Sequence, residues 1–315
     1  MLHAAARGPA RVFDIIIDAE PWAGPYREDL RFLLLGPSHG LGAACGLPAA
    51  LESARRRATI ARWNAGANAW RRWTENIGAL RARFECQAGA ERLFAWLGFA
   101  DFSDHRFPDC VDLGTLELPL GASFARAKFA DDAWFANVNF RGRTDFCGAQ
   151  FLSRVSFENS HFEGDADFQG AVFLRSARFT SVCTYKAMSF RDAEFCMDAW
   201  FRYSRFRGQC DFSKVQIGGE AGFGNCLYAQ DVDFSDAEFC DNAGFEQSIF
   251  SGHASFSRAC FGRKARFEKT TFSEKPGFTG ARFYGASHFE QTSMPVSESP
   301  VAEQLKALQR GLREP

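Results

Sequence analysis

Phenylalanine falls on a lattice through most of this 315-residue chain, and that lattice limits what the chain can fold into. After Ala100, Phe recurs at two interleaved sites, each with a period of eleven residues. One series runs Phe102, Leu113, Phe124, Phe135, Phe146 and on to Phe289. The other lies five residues later: Phe107, Leu118, Phe129, Phe140, Phe151 and on to Phe283. Of 35 lattice sites, 30 are Phe, and the five Phe off the lattice (Phe13, Phe32, Phe84, Phe94, Phe99) all precede it. The register therefore has no insertion across the repeat. A fixed self-similar period is the mark of a solenoid and overrides local propensity.

Two residues before a lattice site the side chain is nearly always small: Ala122, Ala127, Ala133, Val138, Thr144, Ala149, Val155, Ser160. Small then large, with a polar residue between, places two inward side chains on one extended segment. Helix is the rival reading, because eleven residues also make three helical turns. Sites spaced five and six apart do not share a helical face, however. Gly142, Gly164, Gly208, Gly252 and Gly285 punctuate the six-residue arm. They would weaken a helix and suit turns that need a positive φ.

The runs ADFQGAVF (166–173), VDFSDAEF (232–239) and ASFSRACF (254–261) resemble pentapeptide repeats, whose pattern is small, polar, then Leu or Phe. The resemblance spans roughly residues 100–291. It implies a mainly β fold, a right-handed, four-sided β-helix. The alternation of five and six departs from the usual strict five, and the sixth residue reads as a bulged corner.

Eleven residues are too few to circle a Phe core. The outward site before the first Phe series separates the repeats into two sets. One is Ser123, Asp145, Asp167, Ser189, Asp211, Asp233, Ser255 and Gly277; the other is Trp134, Ser156, Arg178, Trp200, Gly222, Gly244, Arg266 and His288. All the Asp fall in one set, and both Trp and both Arg in the other, so the coil is 22 residues long. Eight or nine coils at roughly 4.8 Å per strand make a rod of about 40 Å. Each Phe is expected to stack on its neighbours one coil away. Thr184 is the weak site: Tyr185 is expected to slip into its place and disturb 182–188.

The expected domains are a poorly defined segment at 1–50, an Arg- and Trp-rich helical cap at 51–98, the solenoid at 99–291, and a linker with a short helix at 292–315. Ile60, Trp63, Trp70, Ile77, Leu80 and Phe84 recur at helical steps. The segment WNAGANAWRRW (63–73) is similar to the Trp-containing lead-in ahead of some pentapeptide-repeat domains. Its structural role is to cover the first coil's exposed core and raw β-edge. VFDIIID (12–18) and RFLLLG (31–36) read as strands, and VAEQLKALQRGL (301–312) as a helix.

Net charge is −1, unevenly spread. The first 98 residues hold 13 Arg against 9 acids. Within the repeat, 215–257 has seven acids and no Lys or Arg, whereas 258–282 has seven basic residues and only Glu268 and Glu274. Ten Cys show no CxxC and no Cys/His pair with zinc spacing, so no metal site is expected. With no leader or membrane span read in the sequence, reduced thiols and a cytoplasmic location are expected.

No catalytic constellation and no cofactor motif is present: the six His are scattered, and phosphate loops, GxSxG and HExxH are lacking. The leading expectation is a non-catalytic protein-interaction scaffold, with Trp134, Trp200, Arg178 and Arg266 as its interaction face. Trp134 and Trp200 are three coils apart, about 14 Å on one face. The family resemblance supplies an alternative, a DNA mimic that binds a type II topoisomerase. Asp145, Asp167, Asp211 and Asp233 would be its acidic ladder, although B-DNA carries a charge about every 1.7 Å. A third surface is the basic helix carrying Arg55, Arg56, Arg57 and Arg62. Direct nucleic-acid binding is not favoured, and a homodimer stays open.

Overall fold

The computed structural model describes residues 9–28, 30, 49–84, 90–114, 116, 118 and 120–294. The chain divides into two compact units. One is Met1–Ser103 with Leu116–Ser123 and Phe140–Gly142; the other is Asp104–Thr115, Phe124–Asn139 and Arg143–Pro315.

The first unit is helical. α1 spans Pro9–Asp18, a 3-10 turn Pro21–Tyr26, α2 Ala49–Asn64, α3 Ala67–Phe84 and α4 Ala90–Leu97. The strand expected at 12–18 is instead part of α1. Phe13, Ile16 and Ile17 are fully buried, and their three- and four-residue spacing is a helical stripe that an alternating strand cannot bury on one side. The helical run expected from Leu51 to Phe84 breaks once, at Gly66, whose φ of +87° only Gly adopts freely. The segments 31–36 and 301–312 lie outside the described residues.

Within this unit the helices cover the strand Ala100–Asp101. Trp70 of α3, fully buried, stacks on Phe102 with ring centroids 5.6 Å apart, and Trp63 meets the same ring edge-on. The indole thus takes the place that a Phe would hold one coil earlier. The Asp101 N–H donates to Thr59 Oγ1 of α2 at 3.2 Å, so a side chain satisfies an edge donor.

The second unit is a four-sided parallel β-solenoid made of two-residue strands. Face one carries Thr144–Asp145, Ala166–Asp167, Met188–Ser189, Cys210–Asp211, Val232–Asp233 and Ala254–Ser255. Face two runs from Arg106–Phe107 to Arg282–Phe283, face three from Val111–Asp112 to Ser287–His288, and face four from His161–Phe162 to Thr271–Phe272. Partners in every ladder are 22 residues apart, for example Val155 with Ala177 and Ala177 with Ala199. The coil length inferred from the Asp and Trp sets is the observed one. Faces one and three, which carry those two sets, lie on opposite sides of the coil.

Phe stacks on Phe along each column. Phe124, Phe146, Phe168 and Phe190 follow one another at 4.7 to 4.8 Å with planes within 9°. The columns of faces one and three interlock edge to face, as Phe179 does with Phe190 at 5.0 Å and 86°. Both geometries suit the ring quadrupole.

Two expectations about the backbone are corrected. Positive φ does not fall at the glycines of the six-residue arm. It falls two residues after each first-series Phe, at Arg126, Asn137, Asn159, Ser181, Lys214 and their equivalents. Four of the six-residue-arm glycines, Gly142, Gly208, Gly252 and Gly285, are required for clearance instead: a Cβ at Gly208 would lie 2.3 Å from the Lys186 carbonyl carbon, and one at Gly142 2.0 Å from the Leu120 oxygen. Nor does Tyr185 replace Thr184. Thr184 stays on the lattice, fully buried in the strand Cys183–Thr184, while Tyr185 is 43% exposed beneath the Arg207 guanidinium. Ladder hydrogen bonds on both sides hold the register, through Cys183 N–H to Ser160 O and Arg205 N–H to Val182 O. A one-residue slip would have broken these and turned Cys183 inward.

Candidate interaction faces

Face one bears the acidic set. Asp145 is the ladder partner of Asp167, and Asp211 of Asp233, so like charges stand directly opposite. Each carboxylate has a local task that explains its place in the sequence. One oxygen accepts the N–H two residues on: Cys147 for Asp145, Gln169 for Asp167, Ser213 for Asp211 and Ser235 for Asp233, at 2.8 to 2.9 Å. These are Asx-type turns that start the corner. Ser189 does the same for Arg191. Asp165 and Asp231 similarly accept the N–H of Ala187 and His253, one coil on.

The same side chains line a groove of about 600 Å³. Its walls include Asp165, Asp167, Asp211, Asp231 and Asp233, with the Arg143 guanidinium and the His253 imidazole also in the lining. Ala187, Ser189 and Gln209 form its neutral middle. Three of the four residues of the expected acidic ladder therefore share one concavity. Asp145 lies beyond its lining and is 3.8 Å from Arg143.

Face three carries Trp134, Arg178, Trp200 and Arg266. Both indoles are half-buried. Trp200 lies across Gly222 of the next coil, where a Cβ would be 2.5 Å from the ring, and Arg202 sits over it at 5.1 Å. The glycines at 222 and 244 are thus the floor under larger neighbours. Arg154 approaches Trp134 at 5.9 Å. Arg178 is exposed and 3.8 Å from Glu158, while Arg266 reaches back to Glu220 at 3.0 Å.

The basic helix is partly spent inside its own unit. Arg55 pairs with Asp101 at 3.4 Å and lies 5.0 Å from the Trp96 ring and 4.9 Å from that of Phe99. Arg56 is 3.7 Å from the same carboxylate. Arg62 pairs with the buried Glu20 and covers Trp73. Burial raises the Glu20 carboxyl, against the opposing pull of Arg62. Arg57 is exposed.

The acidic and basic blocks of the sequence meet through the 22-residue register. Asp236 and Arg258, one coil apart, pair through two contacts at 2.6 and 2.7 Å. Asp241 with Arg263, Asp132 with Arg154 and Asp104 with Arg126 repeat the arrangement. Exposed pairs of this kind add little stability, but they neutralise what the linear sequence presents as separate patches.

Sequence reading took Ser160 and Ser204 only as small inward residues. Both are fully buried and bridge two coils. Ser204 Oγ donates to Phe179 O at 2.8 Å and accepts the Val182 N–H at 3.1 Å; Ser160 does the same for Phe135 and Val138. Recurrence of Ser or Thr every 22 or 44 residues at this corner (160, 204, 248, 270, 292) was the signal.

All eight described cysteines are free. Cys210 and Cys226 point into the core, and burial pushes the Cys226 thiol up to about 12.

A description of pentapeptide repeats, in nine copies, matches residues 124–172, 168–216 and 212–259. Residues 124–259 are thus a run of pentapeptide repeats, wound into the observed 22-residue coil. No curated protein and no solved structure matches the chain. Among the described residues no helix is long and apolar enough to cross a membrane.

Proposed function

We propose that this pentapeptide-repeat solenoid is a non-catalytic protein-interaction scaffold whose docking face is the acidic groove of face one. The observation that carries the reading is the concavity itself: five carboxylates on one backbone, each with one oxygen held by a backbone N–H, from its own turn for Asp167, Asp211 and Asp233 and from the next coil for Asp165 and Asp231. A Lys- or Arg-containing segment in extended conformation complements that lining. A solenoid that contacts only its own neighbours keeps such a surface pre-organised, which lowers the cost of binding.

The test uses a fluorescent Lys/Arg-rich peptide and the full chain. Asp165→Asn, Asp167→Asn, Asp231→Asn and Asp233→Asn together keep the acceptor oxygens and remove four charges. Peptide binding should weaken about tenfold or more and fall with added salt. A Trp134→Ala/Trp200→Ala double variant should bind as the parent does. Equal binding by the Asn variant removes the groove from the proposal, and loss of binding in the Trp variant moves the docking face to face three.

The alternative, a DNA mimic that binds a type II topoisomerase, rests on the neighbouring pairs Asp145–Asp167 and Asp211–Asp233. It predicts inhibition or protection in a gyrase supercoiling assay. The absence of either at micromolar protein would remove it.

A further inference from the structure

The last coil brings together three side chains with metal-ligand chemistry: Glu268, His288 and Glu290, whose ligand atoms all lie within 4.8 Å of one another. The solenoid register builds the cluster. His288 is the outward residue of the last strand of face three, and Glu290 follows it across the inward Phe289. Glu268 is the residue one coil before Glu290, at the same place in its turn, and the Lys269 N–H bonds to Glu290 O at 2.9 Å. Two carboxylates are therefore stacked at adjacent rungs, which is unfavourable without a cation between them.

Among the described residues, no ion pair to Glu268 is present. Arg266, the ladder partner of His288, is committed to Glu220 two coils back. Glu268 Oε2 is buried and has no hydrogen-bond partner among the described residues. His288 Nδ1 lies 3.6 Å from Glu290 Oε1, close to the separation of two ligands on one tetrahedral ion, roughly 3.3 Å for bonds of about 2 Å. An imidazole with two carboxylates suits a divalent transition ion of the zinc type, with a fourth position left to water.

We propose that Glu268, His288 and Glu290 form a zinc-type divalent-cation site that clips the last coil to the one before it. The position gives the clip a use. Phe283 and Phe289 are half-buried, whereas rings in the middle coils are fully enclosed, so among the described coils this one has less packing than the middle ones. The site is independent of the groove on face one.

The experiment is zinc titration of the full chain by calorimetry, with cobalt as a spectroscopic probe. The parent should bind one ion at this site and melt at a higher temperature with zinc present. Glu268→Gln and His288→Ala should each weaken binding tenfold or more, with unchanged circular dichroism and unchanged melting in chelator. The cobalt spectrum should lack thiolate charge transfer, since no Cys is in the cluster. Binding by either variant at the parent's affinity, a thiolate spectrum, or no zinc binding by the parent overturns the proposal.

Discussion

Thr184 and Ser204 occupy inward positions in adjacent coils: among the described residues one is a polar residue without a partner, the other a polar residue with two. Thr184 Oγ1 is buried and makes no hydrogen bond, so Thr184→Val removes an uncompensated hydroxyl at nearly constant shape. That change should stabilise the protein by about 1 kcal/mol in urea unfolding. Ser204→Ala works the other way, because it strands the Phe179 carbonyl and the Val182 N–H in the core. A loss of about 1–3 kcal/mol is expected in the same measurement. Ser204→Cys should lose less, since Cys226, the next residue of that row, keeps the carbonyl contact from its thiol. The buried thiols also respond to pH. Cys226 has its folded pKa raised, so it contributes stability in full below the unfolded thiol value and loses it as pH rises through the folded one. Alkylation at pH 8 should therefore label Cys196 and Cys240, which are exposed, and spare Cys210 and Cys226 until the chain unfolds.

At the scale of the turn, two kinds of glycine separate cleanly. Gly170 has φ +63° and open space where a Cβ would go. Asn, Asp, Lys and Arg hold the same turn position in other coils, so the left-handed conformation is tolerated there. Gly170→Asn should cost less than about 1 kcal/mol. Gly208→Ala meets the Lys186 backbone at 2.3 Å and must push two coils apart. It should cost at least about 1–3 kcal/mol by thermal unfolding. The sequence pattern singled out Gly208 but not Gly170, and clearance and φ at a given corner depend on the coil below, which the local sequence does not describe. The same limit applies to α1. Its apolar residues are legible as a cluster, yet only their common burial distinguishes a helix from the strand that the Ile run suggests.

For the whole molecule, stability should grade along the axis. Phe201 is fully enclosed, stacked at 4.9 Å on Phe179 and 4.8 Å on Phe223. Phe289 is half-buried and stacks on Phe267 at 4.8 Å. Phe201→Ala should cost about 3–5 kcal/mol in equilibrium unfolding, and Phe289→Ala less than half of that. Equal losses would contradict the nearest-neighbour picture of the solenoid.

The sequence by itself determined the solenoid, its 22-residue coil and the division into an Asp face and a Trp face. Those properties follow from side-chain volume and polarity repeated at a fixed period, and a period is visible in one dimension. Only the tertiary structure decided which charges stay available. Asp236 is cancelled by Arg258 and Arg55 is tied to Asp101, whereas the carboxylates of face one gather in a groove. It also brought Glu268 beside His288 and Glu290, residues separated by about one coil in the chain. Such groupings arise because 22 residues of sequence become one strand spacing in space, so partners distant in the chain meet at contact distance.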